Sequence, residues 1–135
     1  MKNNWKTPKA LYDAFMRRGY FDPCPPDPSF DGLNVEWGAM NFCNPPYNEN
    51  AKWVDKAIEE AKKGKIVALL IPARTDTRYF RKLVDYGACI TFFTGRLHFD
   101  DHKGQPPFAS MIVWLNCGLR DTFEMRDSYD FETNR

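Results

Sequence analysis

The tetrapeptide Asn44-Pro45-Pro46-Tyr47 brings together residue types that can hold and stack a planar amine. Proline has a fixed φ angle and no backbone N–H. The carbonyl groups of Asn44 and Pro45, which precede the two prolines, are therefore not expected to take part in ordinary helix or sheet ladders with them. A side-chain amide precedes the prolines and an aromatic ring follows them, which suits gripping an amino group and stacking on its ring. The motif predicts an adenine-sized site, or alternatively a plain strand-to-helix turn.

The residues around this motif predict the elements that position it. Thr7 is expected to cap a first helix that has Pro8 at its first position and ends at Gly19. The continuously apolar run at residues 66–71 predicts a parallel strand buried on both faces. The other expected elements are strands at residues 20–21, 39–43, 89–93, 108–115 and 122–125, a helix at about 49–63 capped by Asn48 or Asn50, and a helix ending at Gly87.

The alternation of these strands and helices predicts an α/β fold with three layers. We expect helices on both faces of a mostly parallel sheet that ends in an antiparallel hairpin. Ligands of such sheets bind at the carboxyl ends of the strands. Asp22, Asn44, Arg74 and Gly95-Arg96 all follow predicted strands, so these four loops should converge on one face of the molecule.

Length and charge limit what the chain can do. Its 135 residues predict a single domain, and its net charge of +1 gives no general attraction to nucleic acid, so such binding must depend on local clusters. The four cysteines are far apart without a Cys-x-x-Cys pair, which argues against a zinc site and for a reduced, intracellular protein. With no signal peptide or membrane-spanning run in this sequence, the cytoplasm is the expected compartment and no metal or membrane is expected as partner.

The loops favour a ligand without phosphates. No Gly-x-Gly-x-x-Gly or other phosphate-binding loop is present, and the histidines, His98 and His102, share one loop with no Ser-His-Asp set. Asp22 after the first strand suits a hydroxyl or ammonium group, or equally a turn before Pro23. S-adenosylmethionine, which carries an adenosine and an amino acid, matches these features better than a nucleotide polyphosphate.

Seven motifs in order along most of the chain resemble those of the small phage-type DNA N6-adenine methyltransferases. They are Thr7-Pro8 with Leu11, Asp22-Pro23-Cys24, Asp31-Gly32-Leu33 with Trp37, Asn44-Pro45-Pro46-Tyr47, Pro72-Ala73-Arg74 with Asp76-Thr77, Gly95-Arg96 with Phe99, and Pro107-Phe108 with Ser110. The resemblance implies a compact Rossmann-like fold over residues 1–135, with no separate target-recognition domain. It also implies S-adenosylmethionine as methyl donor and adenine in DNA as acceptor. The expected compartment is the host cytoplasm if the chain is phage-encoded, and a homodimer is left open.

The resemblance also implies roles for individual residues. Asn44 and the Pro45 carbonyl would accept the two N6 protons of adenine, and Tyr47 would stack on the base after it is flipped from the duplex. The implied catalytic set is Asn44, Pro45, Pro46 and Tyr47; the implied cofactor set is Thr7, Pro8, Asp22, Pro23, Cys24 and Asn44; the implied substrate set is Tyr47, Arg74, Asp76, Thr77 and Arg96.

Two departures and two alternatives accompany this interpretation. The first strand lacks the Gly-rich turn of many methyltransferases, and the acid that would bind the cofactor ribose is not evident; Asp31 is a candidate, or simply a turn residue. The Asn-Pro-Pro-Tyr motif also occurs in enzymes that methylate protein glutamine or guanine N2 in RNA. A nucleic-acid-binding module that kept the fold without catalysis is the other alternative. Sequence specificity is expected to come from loops such as 97–107 or from a partner subunit, or to be slight.

Overall fold

The computed structural model describes residues 5–99, 107–116 and 123–127. Its elements are α1 (Lys9–Arg17), β1 (Met40–Cys43), a short 3-10 turn (Tyr47–Glu49), α2 (Asn50–Ala61), β2 (Ile66–Pro72), α3 (Arg78–Tyr86), β3 (Cys89–Thr94), β4 (Ser110–Leu115) and β5 (Phe123–Asp127). The predicted order of helices and strands agrees with this arrangement. Most of loop 97–107, together with His102, Cys117 and Thr122, lies outside the described residues.

The sheet has the strand order β1-β2-β4-β3-β5. β1 is parallel to β2, β4 is antiparallel to both β2 and β3, and β5 is parallel to β3. The sheet is therefore mixed, with β4 as the one described strand that runs against the other four. The expected terminal hairpin of β4 with β5 is wrong, because β5 pairs with β3. β4 is buried at five of its six positions, and a strand that is apolar on both faces is most stable in the centre of the sheet.

The predicted first strand, at residues 20–21, is reduced to one parallel bridge between Phe21 and Asn41. The Phe21 amide donates to the Met40 carbonyl at 2.8 Å, and the Phe42 amide donates to the Phe21 carbonyl at 2.9 Å. These two hydrogen bonds are enough to place the following Asp22 next to the end of β1.

Helices cover both faces of the sheet, as the sequence predicts. Along β2, Val67, Leu69 and Ile71 pack in the core beneath α2 and α3, whereas Ala68 and Leu70 pack in the core beneath α1. This alternation follows from the two-residue period of a strand. The three layers are therefore α1, the sheet, and the α2–α3 pair.

The starts of the helices differ from the prediction. Pro8, and not Thr7, is the N-terminal cap of α1, and its side chain makes no capping hydrogen bond. Neither Asn48 nor Asn50 caps α2, since the 3-10 turn runs directly into that helix. The side chains of Thr7 and Asn50 are therefore available for other contacts.

A buried carboxylate fixes the end of the sheet where β1 and β2 begin. Glu60, which is fully buried, accepts hydrogen bonds from the Trp37 amide at 2.9 Å and from the ammonium groups of Lys65 at 2.6 Å and Lys63 at 2.9 Å. Lys56 approaches it at 3.3 Å. Burial by itself would raise the pKa of Glu60, but these donors lower it from 4.5 to about 2.

Replacing Glu60 tests how much this cluster stabilises the fold. Because its folded-state pKa is lowered, the carboxylate stabilises the protein above about pH 4.5, and that contribution is lost as the pH falls towards 2. We expect Glu60→Gln to reduce the free energy of unfolding at pH 7 by about 3 kcal/mol. It should also flatten the decline of stability below pH 4.5, measured by urea unfolding across that range.

The exposed neighbour Glu59 provides the matched control. Glu59→Gln should leave both the stability at pH 7 and its pH dependence close to those of the unchanged protein. Equal stability of the two variants would show that the Glu60 cluster is not a stabilising feature.

Candidate functional site

The carboxyl ends of several chain segments meet at one edge of the sheet. Phe21, β1 and β2 run in parallel, and β3 has the same direction because β4 is antiparallel to both β2 and β3. The residues that follow these four segments include Asp22, Asn44, Arg74 and Arg96. This is the edge at which ligands of α/β sheets bind.

The amide of Asn44 is held in one orientation at this edge. Its Nδ2 donates to the backbone carbonyl of Trp5 and to the hydroxyl Oγ1 of Thr7, the latter at 3.0 Å. Both donors of the amide are thus used, because each N–H has an acceptor. Its Oδ1 is buried and has no hydrogen-bond partner among the residues that the structure describes.

The rest of the motif continues this arrangement. The Pro46 carbonyl accepts from the Glu49 amide at 2.9 Å and begins the 3-10 turn, whereas no described group donates to the Pro45 carbonyl. The half-buried Tyr47 ring packs edge-on against Phe108, with 5.2 Å between ring centroids. Burial raises the pKa of Tyr47 well above its usual range, so its hydroxyl stays protonated.

A cleft of about 390 Å³ opens beside Tyr47. Its walls combine aromatic rings, two amides and one cation. They are formed by Trp5, Tyr47, Asn48, Asn50, Arg74, Tyr79, Pro107 and Phe108. Flat aromatic walls with a few polar groups are suited to a planar ring such as a nucleobase.

Asp22 is not among the residues that line the cleft, and it has a turn-forming role. Its Oδ1 accepts from the Cys24 amide at 2.8 Å, and its Oδ2 accepts from the Tyr12 hydroxyl at 2.9 Å. Burial raises the pKa of Asp22, although these two hydrogen bonds partly oppose that effect. The carboxylate keeps further lone pairs with which it can bind a hydroxyl or ammonium group.

Cys24, from the expected cofactor set, is a neutral thiol in this environment. Burial, together with the charges of Asp22 and Glu49, raises the pKa of Cys24 to about 12. A nucleophilic role would need a thiolate, so Cys24 can line a pocket but does not act as a nucleophile near neutral pH. Pro8 and Pro23 are buried and can likewise contribute only apolar surface and backbone carbonyls.

The loop that carries Asp22 is packed directly against a second turn. Gly32 lies so close to it that a Cβ there would be 1.9 Å from the Pro23 carbonyl oxygen. Asp31, the candidate ribose-binding acid, is exposed and accepts from the Leu33 amide at 3.0 Å and from the Asn34 side chain. These contacts favour the turn interpretation of Asp31.

The expected substrate residues are only partly brought together. Tyr47 and the exposed Arg74 line the cleft, whereas Asp76 and Arg96 are exposed and are not among its lining residues. The hydroxyl of Thr77 accepts from the Phe80 amide at 3.2 Å and donates to the Arg74 carbonyl at 2.8 Å. Thr77 therefore caps α3 and positions Arg74.

Four cleft residues escaped the sequence-based prediction of the site: Trp5, Asn48, Asn50 and Tyr79. Pro107 and Phe108 appeared in it only as part of a family motif. Asn50 had the pattern of a helix cap, and Tyr79 had that of a residue on the apolar face of α3. Four of the buried side-chain atoms without a partner in the described part of the chain lie at this edge. They are Asn44 Oδ1, Asn50 Oδ1, Tyr79 Oη and Ser110 Oγ. Buried polar atoms are normally paired, so their concentration here indicates a ligand site.

A protein-family model described as DNA N-6-adenine-methyltransferase (Dam) matches residues 28–116, about two thirds of the chain. The chain belongs to this family. The matched range contains the Asn-Pro-Pro-Tyr motif and the polar cleft residues of α2 and α3, but it begins after Asp22 and Thr7. No curated protein and no solved structure matches the chain significantly.

Two further observations concern only the part of the chain that the structure describes. No helix among them is both long and apolar enough to cross a membrane. Within the same residues, no group of three or more His, Cys, Asp or Glu side chains is arranged to hold a metal ion.

The contact at Gly32 gives a test of how the Asp22 loop is supported. Gly32→Ala should push the Pro23 carbonyl away and reduce the free energy of unfolding by about 1 to 3 kcal/mol, as overpacking does. Urea unfolding measures the loss, with Ser29→Ala at an exposed position of the same loop as control. Equal midpoints for the two variants would mean that the turn does not support the Asp22 loop.

Proposed function

We propose that this protein transfers a methyl group from S-adenosylmethionine to the N6 amino group of adenine in DNA. Family membership supports an adenine-directed methyltransferase. The structural observation that carries the proposal is the Asn44 amide, whose donors are both used and whose buried Oδ1 lacks a partner among the described residues. An acceptor fixed in this way complements an amino group, which donates.

The acceptor chemistry follows from two oxygens. Asn44 Oδ1 and the Pro45 carbonyl would each accept one N–H of the adenine amine. Because both oxygens are already oriented by the chain, they cost little reorganisation when charge develops on the nitrogen. Holding the amine in this way also restricts it to the geometry needed for attack.

The cleft beside Tyr47 would receive the adenine ring. Enzymes that modify a base take it out of the stack, and an aromatic surface compensates part of the lost stacking. Tyr47 and Phe108 supply that surface, and the exposed Arg74 at the cleft can contact a phosphate. The near-neutral net charge makes such local contacts more important.

The residues around Asp22 suit the cofactor. The Asp22 carboxylate, half-buried and with spare lone pairs, can hold a hydroxyl or ammonium group, while Pro8, Pro23 and Cys24 offer apolar surface. When bound, S-adenosylmethionine supplies a sulfonium methyl group that an amine can attack directly. The parallel Phe21–β1–β2 arrangement, with its ligand edge at the strand ends, supports a Rossmann-like methyltransferase fold within a single domain.

The decisive test is chemical identification of the product. DNA from cells that express the protein is digested to nucleosides and compared by mass spectrometry with DNA from cells that express Asn44→Ala. We expect N6-methyladenine above background only with the unchanged protein. Methyl groups on RNA or protein, with none on DNA, would overturn the proposal.

Two substitutions separate the acceptor side from the cofactor side. Asn44→Ala should reduce methyl transfer by at least 100-fold, in line with loss of a preorganised hydrogen-bonding group, and leave cofactor affinity within a few-fold. Asp22→Ala should instead weaken cofactor binding, measured by calorimetry. Wild-type cofactor affinity in Asp22→Ala would remove Asp22 from the site, and unchanged turnover in Asn44→Ala would remove Asn44.

Tyr47 allows stacking to be distinguished from hydroxyl chemistry. Its hydroxyl donates to the Leu70 carbonyl only over 3.4 Å, a long hydrogen bond whose loss should matter little. Tyr47→Phe should therefore keep most of the turnover, whereas Tyr47→Ala should lose about 10-fold or more because base stacking is removed. Equal losses in the two variants would assign the role to the hydroxyl and contradict stacking.

A further inference from the structure

The proposed grip on the amine does not by itself identify the base. Asn44 Oδ1 and the Pro45 carbonyl recognise an amino group, and cytosine and guanine also carry one. Adenine differs from both because its N7 acceptor lies next to the amino group; in guanine N7 lies next to O6, and cytosine has a carbon at that place. An additional hydrogen-bond donor in the cleft could make this distinction.

Two polar side chains of the cleft have no assigned role. Asn50, the first residue of α2, is 5% exposed, and Tyr79 is the second residue of α3. Neither Asn50 Oδ1 nor the Tyr79 hydroxyl is paired at hydrogen-bonding geometry with a described residue, although Asn50 and Thr77 lie near that hydroxyl. Both Asn50 and Tyr79 line the same cleft as Tyr47. Buried polar groups left unpaired destabilise a protein, so a ligand contact is the simplest reason to keep them.

The two side chains lie close together, and Tyr79 is a donor at neutral pH. Burial raises the pKa of Tyr79, and nearby Thr77, Arg74 and Asn50 oppose that effect without cancelling it. The phenol therefore keeps its proton. Thr77 and Asn50 both lie near the hydroxyl, but the Thr77 hydroxyl donates to the Arg74 carbonyl and caps α3. Asn50 is the one of the two that lines the cleft, so it is the neighbour placed to orient the hydroxyl there.

We propose that the Tyr79 hydroxyl, oriented by Asn50, donates a hydrogen bond to N7 of the adenine whose N6 amino group is held by Asn44. This inference rests on the proposed function and adds a specificity-determining pair to it. On the major-groove edge of the base, acceptors at the amine combined with a donor at N7 match adenine alone among the four bases. A cytosine in the same position would leave the Tyr79 hydroxyl unpaired, which is how a polar site rejects an analogue.

The experiment removes the N7 atom and the hydroxyl separately and together. A DNA fragment of several kilobases is copied by PCR with dATP or with 7-deaza-dATP, so that any short recognition site is present in both products. Initial rates of transfer of labelled methyl from S-adenosylmethionine are measured for the unchanged protein, Tyr79→Phe and Asn50→Ala. Tyr86→Phe, the same substitution at the other end of α3, is the control, because its hydroxyl bonds to Asn116 away from the cleft.

The unchanged protein and Tyr86→Phe should both lose about 10-fold on 7-deaza DNA, the effect of one net hydrogen bond. Tyr79→Phe should be about 10-fold slower on ordinary DNA and lose no more than twofold further on 7-deaza DNA. For Asn50→Ala, the ratio of the rate on ordinary DNA to the rate on 7-deaza DNA should also be smaller than for the unchanged protein. Cofactor dissociation constants should stay within twofold for all variants. This result would show that the slower rates do not come from misfolding or from weaker cofactor binding.

Other outcomes overturn the inference. If Tyr79→Phe and the unchanged protein lose the same factor on 7-deaza DNA, then Tyr79 does not contact N7. If Tyr79→Phe matches the unchanged protein on ordinary DNA, its hydroxyl has no part in recognition. Failure of the proposed function looks different, because then the unchanged protein makes no N6-methyladenine on ordinary DNA.

Discussion

The two hydrogen bonds donated by the Asn44 amide connect the Asn-Pro-Pro-Tyr motif to the segment that precedes α1. They join residues that are 37 and 39 positions apart in the chain, since one acceptor is Thr7 and the other is the Trp5 carbonyl. By using both donors they fix which way the amide faces, and they leave its oxygen as the group without a partner in the described structure. Among the described residues this buried oxygen stays unpaired, which costs about 1 to 3 kcal/mol unless a ligand pairs with it.

The buried polar groups at the two ends of the sheet differ in how far they are hydrogen bonded. At the end where β1 and β2 begin, the carboxylate of Glu60 is surrounded by Lys65, Lys63, Lys56 and the Trp37 amide, so its hydrogen-bonding capacity is used. At the carboxyl end, buried polar atoms of α2, α3 and β4 lack described partners. Within the described residues, a paired cluster thus lies at one end of the sheet and the unpaired buried groups lie at the other, where strain is typical of functional sites.

Local patterns revealed those parts of the fold that depend on local physics. The apolar run of β2 and the helical period of α2 predicted both elements, and the prolines after Asn44 predicted free carbonyl groups. The central place of β4 was not predictable, because an apolar run shows that a strand is buried but not which strands are its neighbours. Thr7, Asn50 and Tyr79 were likewise interpreted by their local patterns, although tertiary contacts and the cleft determine what their side chains do.

The central position of β4 also has a consequence for folding. Its pairing with β2 joins Pro72 to Ser110 and Val67 to Leu115, residues 38 and 48 positions apart. Pairing over such distances is slow, because a long loop must close before the strands stabilise each other. During synthesis, β2 therefore leaves the ribosome with one edge uncovered until β4 follows, and an exposed apolar edge is prone to pair with other chains. Production yield should accordingly depend on temperature and chaperones more than the size of the chain suggests.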